Sequence, residues 1–419
     1  MNDQMPKSPD QQPNDPVERL ADLRHEFGEH GGVNMSIAAS TTFTVLEAGT
    51  MPEIFEGNLG PHEGGCYLYG RHFNPTVFVL GRQLAAMEGA EAGYCASSGL
   101  GAIAAALLGC LEQGDHVVAS DTLYGGTWSM LAKFLPAKCG MTTTFVDITD
   151  HDAVTEAMNE RTKVVYTESL TNPTLRVPNL PVLAKIAHHH DAQLIVDNTF
   201  APLAITPIEH GADIVVHSLT KFINGASDFI AGTVVGRGTF IGSLMDLHTG
   251  PLMLLGPTMD PQVAHSISLR LPHLPIRMIE HARRAQEFAH RLTAVGVKTV
   301  YPGLEDHPDH EIFHQIGRPE YGFGGLLTID TGTTELAEKL MEDLQNVEGF
   351  GFMAVSLGYF DTLMSCSASS TSSEMDEHSL SKAGVTPGLI RMSIGLTGSL
   401  EQRWDQFERS LKRCGLISD

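Results

Sequence analysis

From Thr76 onward, short apolar runs alternate with helical stretches, and no other feature of the chain constrains its fold as tightly. A helical stretch at 77–88 precedes residues 94–98 and a second helical stretch at 100–111, and the runs then occupy residues 116–119, 143–146, 164–166, 194–196, 214–216 and 232–235. Runs this short and this apolar are buried on both faces, the pattern of a mainly parallel sheet covered by helices. The expected class is α/β, with a large domain over 76–270. A different pattern begins near Leu271: an amphipathic helix at 276–294, strand-like segments at 298–301 and 325–330, and a last strand at 389–394. It predicts a smaller α+β domain over 271–419.

Ahead of Thr76 the regularity disappears. Residues 1–15 are polar, rich in proline and without periodicity, which predicts a mobile tail. Residues 31–65 are rich in Gly, Ser and Thr and read as an extended arm, so 1–75 is expected to be tail and arm together. An arm of that length usually lies on something, and a partner subunit is expected. The 27 Lys and Arg against 50 Asp and Glu leave a net charge of −23, which argues against nucleic acid or anionic lipid as a partner. The longest apolar stretch, residues 99–111, is far short of the roughly 20 residues of a bilayer span. No basic-then-apolar leader opens the chain, and the six cysteines form no CxxC pair. Reduced thiols and a cytoplasmic setting are the expectation.

The sharpest chemical signal is His217-Ser218-Leu219-Thr220-Lys221, placed after the apolar run 214–216. A lysine at the end of a buried strand and flanked by hydroxyls is unusual, because most lysines are solvated. In a dry site its pKa falls and its amine condenses with aldehydes, while Ser218 and Thr220 can donate to a phosphate. Asp197, at the end of the run 194–196, sits where parallel sheets bind ligands. A lysine for the aldehyde and a carboxylate for the ring nitrogen are the two groups a pyridoxal-phosphate enzyme requires.

Ser97-Ser98-Gly99-Leu100-Gly101 precedes an alanine-rich helix, and small residues there let a phosphate approach the first-turn amides. The same segment spells GxGxxA, which keeps a nucleotide-binding oxidoreductase as a rival reading. That rival leaves Asp197 and Lys221 without employment. His310-Glu311-Ile312-Phe313-His314 spells HExxH but has no obvious third ligand, so no metal site is assigned. The run His188-His189-His190 falls at a predicted helix end, where imidazoles suit the dipole.

With these residues in hand, the chain resembles the cystathionine γ-synthase/methionine γ-lyase family of pyridoxal-phosphate enzymes. The resemblance runs from about Thr41 to Leu411. It is carried by Tyr69-Gly70-Arg71-His72-Phe73-Asn74-Pro75-Thr76, Tyr124-Gly125-Gly126-Thr127, Asn172-Pro173-Thr174, Asp197-Asn198-Thr199-Phe200, Ser218-Leu219-Thr220-Lys221 and Ala354-Val355-Ser356-Leu357-Gly358. It implies an aminotransferase-like fold of type I, with a seven-stranded sheet, and a homotetramer of two dimers that share active sites. Lys221 would be the Schiff-base lysine, Asp197 the partner of the ring nitrogen, and Tyr124 a stacking acid or base. Ser98, Gly99, Leu100, Ser218 and Thr220 would hold the phosphate, joined by Tyr69 and Arg71 of the neighbouring subunit. Arg391 would clamp the substrate carboxylate, assisted by Ser356, Asn172 and Tyr69, with Glu168 behind them.

The family performs either γ-elimination or γ-replacement. Val355 before Ser356 resembles the methionine γ-lyase pattern, whereas Gly126, Ala226 and the stretch Cys366 to Ser372 depart from it. The expectation is γ-elimination from an amino acid with a sulfur or oxygen leaving group, methionine or homocysteine foremost. Canavanine is a further candidate, because Glu56 and Glu63 could meet a cationic distal end. The alternative is replacement on an O-acyl-homoserine.

Overall fold

The computed structural model describes residues 15–23, 31–56, 58–59, 67–366 and 384–418. Glu63, Cys66 and residues 367–372 lie outside that set, as do most of the tail and the end of the arm. Seven strands form one sheet: β1 (Ala92–Ala96), β2 (His116–Ser120), β3 (Thr142–Val146), β4 (Thr162–Glu168), β5 (Gln193–Asp197), β6 (Ile214–His217) and β7 (Gly232–Gly236). Their order is β1-β7-β6-β5-β4-β2-β3. Strands β2 to β6 pair in parallel, and β7 runs antiparallel to both β1 and β6. Strands β2, β6 and β7 are buried along their whole length, as continuous apolar runs require.

The helix Pro75–Glu88 opens on Asn74, whose side chain accepts from the amides of Thr76 and Val77, and closes on Gly89 in the left-handed region. The helix Gly99–Cys110 opens on Ser98, whose hydroxyl accepts from the Gly101 amide at 3.0 Å. The GxGxxA segment therefore does begin a helix after a strand. That strand is the sheet edge, however, and its neighbour runs antiparallel, so it is not the inner strand of a βαβ nucleotide unit.

A second sheet has the order β10-β11-β12-β9-β8, from β8 (Thr299–Val300), β9 (Leu326–Asp330), β10 (Gly351–Met353), β11 (Thr362–Cys366) and β12 (Leu389–Ser393). Sequence periodicity located β8, β9 and β12 but not β10 or β11, which flank an irregular loop. The amphipathic helix Leu274–Ala294 covers this sheet, with Phe288 packed against Phe350, Trp404 and Phe407. The arm is less extended than its composition suggests, since Thr50–Phe55 forms a short helix. No helix among the described residues is long and apolar enough to cross a membrane.

Candidate functional site

Three strand ends and one loop converge on Lys221. After β6 the chain turns, with the Lys221 amide donating to the Ser218 carbonyl and the Gly225 amide to the Lys221 carbonyl. The Lys221 Nζ donates to the Ser356 hydroxyl at 3.0 Å. Burial, reinforced by the Arg391 charge, pushes the Lys221 amine down to about 8. Gly358 explains how Ser356 comes so near: a Cβ there would lie 2.5 Å from the Phe222 amide nitrogen, so this loop rests on the lysine's own backbone.

Asp197 ends β5, and its Oδ1 accepts from the Thr199 amide at 3.0 Å and the Thr199 hydroxyl at 2.5 Å. Burial raises its pKa, against the pull of those two donors. Among the described residues no lysine or arginine forms an ion pair with it. The Thr199 hydroxyl in turn accepts from the Ser218 amide at 2.8 Å, joining the ends of β5 and β6.

Arg391 projects from β12, and its guanidinium is buried, which pushes it down to about 10. It donates to Asn172 Oδ1 at 3.0 Å and to the Ser356 carbonyl at 3.2 Å, with the Phe200 ring 6.0 Å away. Glu168, at the end of β4, organises the same wall by accepting from the Tyr124 and Asn172 amides, each at 2.8 Å. Burial and the neighbouring Asp197 raise its pKa well above the carboxylate norm. Tyr124 begins a short helix and is about half exposed.

The helix N-terminus faces the lysine turn. A Cβ on Gly99 would lie 2.6 Å from the Ser218 Cβ, so glycine is what lets the two backbones meet. The first-turn amides of Gly99 and Leu100 have no acceptor within the helix. The Thr220 hydroxyl accepts from the Ala231 amide at 3.0 Å. This donor set fits pyridoxal phosphate: a buried amine of lowered pKa, a buried carboxylate with no Lys or Arg ion pair among the described residues, and a helix N-terminus beside hydroxyls.

Lys221, Ser356, Arg391, Asn172, Tyr124 and Glu168 are thus joined by hydrogen bonds into one cluster, and Thr199 links Asp197 to Ser218. Tyr69 and Arg71 stay apart from both within one chain. Arg71 donates to the Met253 carbonyl at 3.0 Å and stands 5.6 Å above the Tyr69 ring. Sequence reasoning assigned no role to Thr199 or Phe200; a hydroxyl two residues after a strand-end aspartate was the available signal for the first. Of the decoys, His310 Nδ1 meets the Pro302 carbonyl and its ring stacks on Phe323, while His188 pairs with Asp213.

Residues 20–406 match the model of the Cys/Met metabolism PLP-dependent enzymes. A methionine gamma-lyase of Arabidopsis thaliana is 56% identical over 400 residues, covering 95% of this chain and 90% of that protein. An L-methionine gamma-lyase of Fusobacterium nucleatum subsp. polymorphum is 39% identical over 340 residues, covering 80% and 83%. A cystathionine gamma-lyase of Lactobacillus plantarum, solved with L-serine, superposes with a TM-score of 0.84 at 28% identity, covering 95% and 99%. A putative O-acetylhomoserine (thiol)-lyase of Campylobacter jejuni superposes at 0.87 with 25% identity, covering 95% and 100%, and carries a pyridoxyl-lysine monophosphate.

Proposed function

Because the chain belongs to the Cys/Met metabolism PLP-dependent enzymes, we propose that it is a γ-elimination lyase of the methionine γ-lyase type. Its substrate is an L-amino acid with a sulfur or oxygen leaving group on Cγ, methionine or homocysteine foremost, and its products include a 2-oxo acid and ammonia. One observation carries the reading: the buried Lys221 amine, of lowered pKa, stands 3.0 Å from Ser356 beside Arg391.

Bound pyridoxal phosphate supplies an aldehyde for the lysine and a ring that withdraws electrons from the substrate's Cα. Lys221 would hold the cofactor through its amine and, once released, move protons at Cα and Cβ. The Asp197 carboxylate would hold the proton of the ring nitrogen. Ser98, Gly99, Leu100, Ser218 and Thr220 would cradle the phosphate, with Tyr69 and Arg71 reaching it from a neighbouring subunit. Arg391 would grip the substrate carboxylate in a two-pronged contact, steadied by Asn172 and the Ser356 carbonyl. Tyr124 would stack over the ring and hand a proton to the leaving group, and Tyr69 would line the substrate's side.

The same reading takes the protein as a cytoplasmic homotetramer, which the exposed Leu254, Leu255 and Ile276 support as apolar surface for assembly. It divides the chain into arm (1–75), cofactor domain (76–270) and C-terminal domain (271–419). A second hydrophobic cluster between Ala285 and Cys414 supports that last unit. Canavanine is included as a second substrate on the strength of the exposed Glu56.

Incubation with methionine, homocysteine, canavanine and O-acetylhomoserine, each with and without an added thiol, tests the proposal through release of 2-oxo acid and loss of the substrate. Release from methionine or homocysteine without an added thiol is expected. Turnover confined to O-acetylhomoserine in the presence of a thiol would replace elimination by γ-replacement.

A further inference from the structure

Behind the candidate site, one oxygen of a buried carboxylate ties together the two strand ends that carry Asp197 and Ser218. Glu88 is the last residue of the helix Pro75–Glu88, and both it and His217 are 1% exposed. Its Oε1 accepts from Asn198 Nδ2 at 3.0 Å and meets His217 Nε2 at 2.7 Å. Asn198 follows Asp197, and His217 precedes Ser218. Successive side chains of a strand point to opposite faces. Glu88 therefore joins the rear of the same two strand ends that the Thr199 hydroxyl joins in front, at 2.5 Å from Asp197 and 2.8 Å from the Ser218 amide.

Stability alone does not account for this arrangement. A carboxyl group at a helix C-terminus does not suit the helix dipole, and a buried polar pair seldom outperforms an apolar pair of the same volume. In addition, Glu88 Oε2, His217 Nδ1 and Asn198 Oδ1 are buried with no hydrogen-bond partner among the described residues. Each unmet group adds to the cost. The backbone ladder already pairs Asp197 with Val216, and the Asn198 amide donates to the Val216 carbonyl; the Glu88 carboxylate adds a side-chain tie where the two strands leave the sheet.

We infer that Glu88 is a positioning residue for the cofactor, setting the distance between the ring contact at Asp197 and the phosphate cradle at Ser218. The inference rests on the proposed roles of those two residues. A rigid ligand that must reach both contacts senses the spacing, whereas a ligand that meets the cradle alone does not.

The test titrates the full chain, stripped of cofactor, with pyridoxal phosphate and separately with inorganic phosphate. It compares the parental protein with Glu88→Ala and Glu88→Gln. Glu88→Ala is expected to weaken pyridoxal phosphate by about tenfold or more and inorganic phosphate by less than about twofold, the difference being the loss of a buried hydrogen bond or two. Glu88→Gln keeps an acceptor oxygen at the same reach and recovers most of the loss. Unchanged affinity for pyridoxal phosphate, or equal losses for both ligands, overturns the inference. If Glu88→Ala does not fold by circular dichroism, Asn198→Ala, which removes one of the two ties, is judged by the same outcomes. A parental chain that prefers pyridoxal phosphate no more than inorganic phosphate would instead bring down the cofactor reading, and the inference with it.

Discussion

The Lys221 ammonium and the Ser356 hydroxyl stand 3.0 Å apart although they come from different sheets' connections. Lys221 follows β6 in the large sheet, while Ser356 lies in the loop between β10 and β11 of the small one. The contact forms because Gly358 lets that loop settle on the lysine's backbone. Arg391, donating to the Ser356 carbonyl, fixes the loop from its other side.

The lowered lysine pKa makes stability depend on pH in the cofactor-free chain. Folded Lys221 titrates at about 8 against an ordinary 10.5. Between those values the unfolded chain binds more protons than the folded one, so this residue makes stability rise with pH across that window. Below about 8 its cost is fully present, and above 10.5 it is gone. Urea unfolding from pH 7 to 10 should show a steeper rise for the parental chain than for Lys221→Met; superimposable curves would contradict the burial of this amine.

Asp197→Asn keeps the shape of the side chain and removes its charge. A charged hydrogen bond is worth about 1.5 to 3 kcal/mol, so kcat/KM should fall by roughly ten- to a hundredfold. If Asp197 holds the ring nitrogen's proton as proposed, the visible spectrum of the bound cofactor should shift as well. Unaltered spectrum and kinetics would move the ring contact to another residue.

Arg391→Lys replaces a planar fork by a point charge that cannot contact a carboxylate, Asn172 and the Ser356 carbonyl together. The expected result is an increase in KM of about tenfold or more, with cofactor content unchanged. Initial rates over a methionine series, alongside absorbance of the holoenzyme, separate the two effects. Loss of cofactor without a change in KM would reassign the residue.

At Gly126 a Cβ would lie 2.6 Å from a ring carbon of Tyr124. Gly126→Cys must therefore displace that ring, which stands half-exposed at the mouth of the site. Relative kcat/KM values for methionine and homocysteine should change by several fold, while the chain still folds, because the group that must give way is the half-exposed Tyr124 side chain and not backbone. A parental substrate ratio would show that the tyrosine does not face the leaving group.

Phe288→Ala tests the smaller sheet's core. The ring packs within 5.8 Å of Phe350, Trp404 and Phe407, and truncating such a residue costs about 3–5 kcal/mol. Denaturant unfolding followed at Trp404 should reveal a loss of that size; a change below about 1 kcal/mol would contradict the packing.

Much of this protein is written locally. Short runs located β2 to β7, and caps the Pro75–Glu88 and Gly99–Cys110 helices, because burial and satisfied end groups are properties of neighbouring residues; β3 departs from the expected two-faced burial, since at the sheet edge its residues alternate between exposed and half-buried until Val146. Lys221, Asp197 and the glycine-rich helix start stood out for the same reason: each is a residue type at odds with its flanking sequence. Direction and distance are different in kind. That β7 runs antiparallel, that β10 and β11 exist, and that Ser356, Asn172 and Arg391 meet at one point depend on contacts between segments far apart in the chain. The Thr199 and Glu88 ties belong to this second class, since a hydroxyl or a carboxylate becomes a brace only when two strand ends are already side by side.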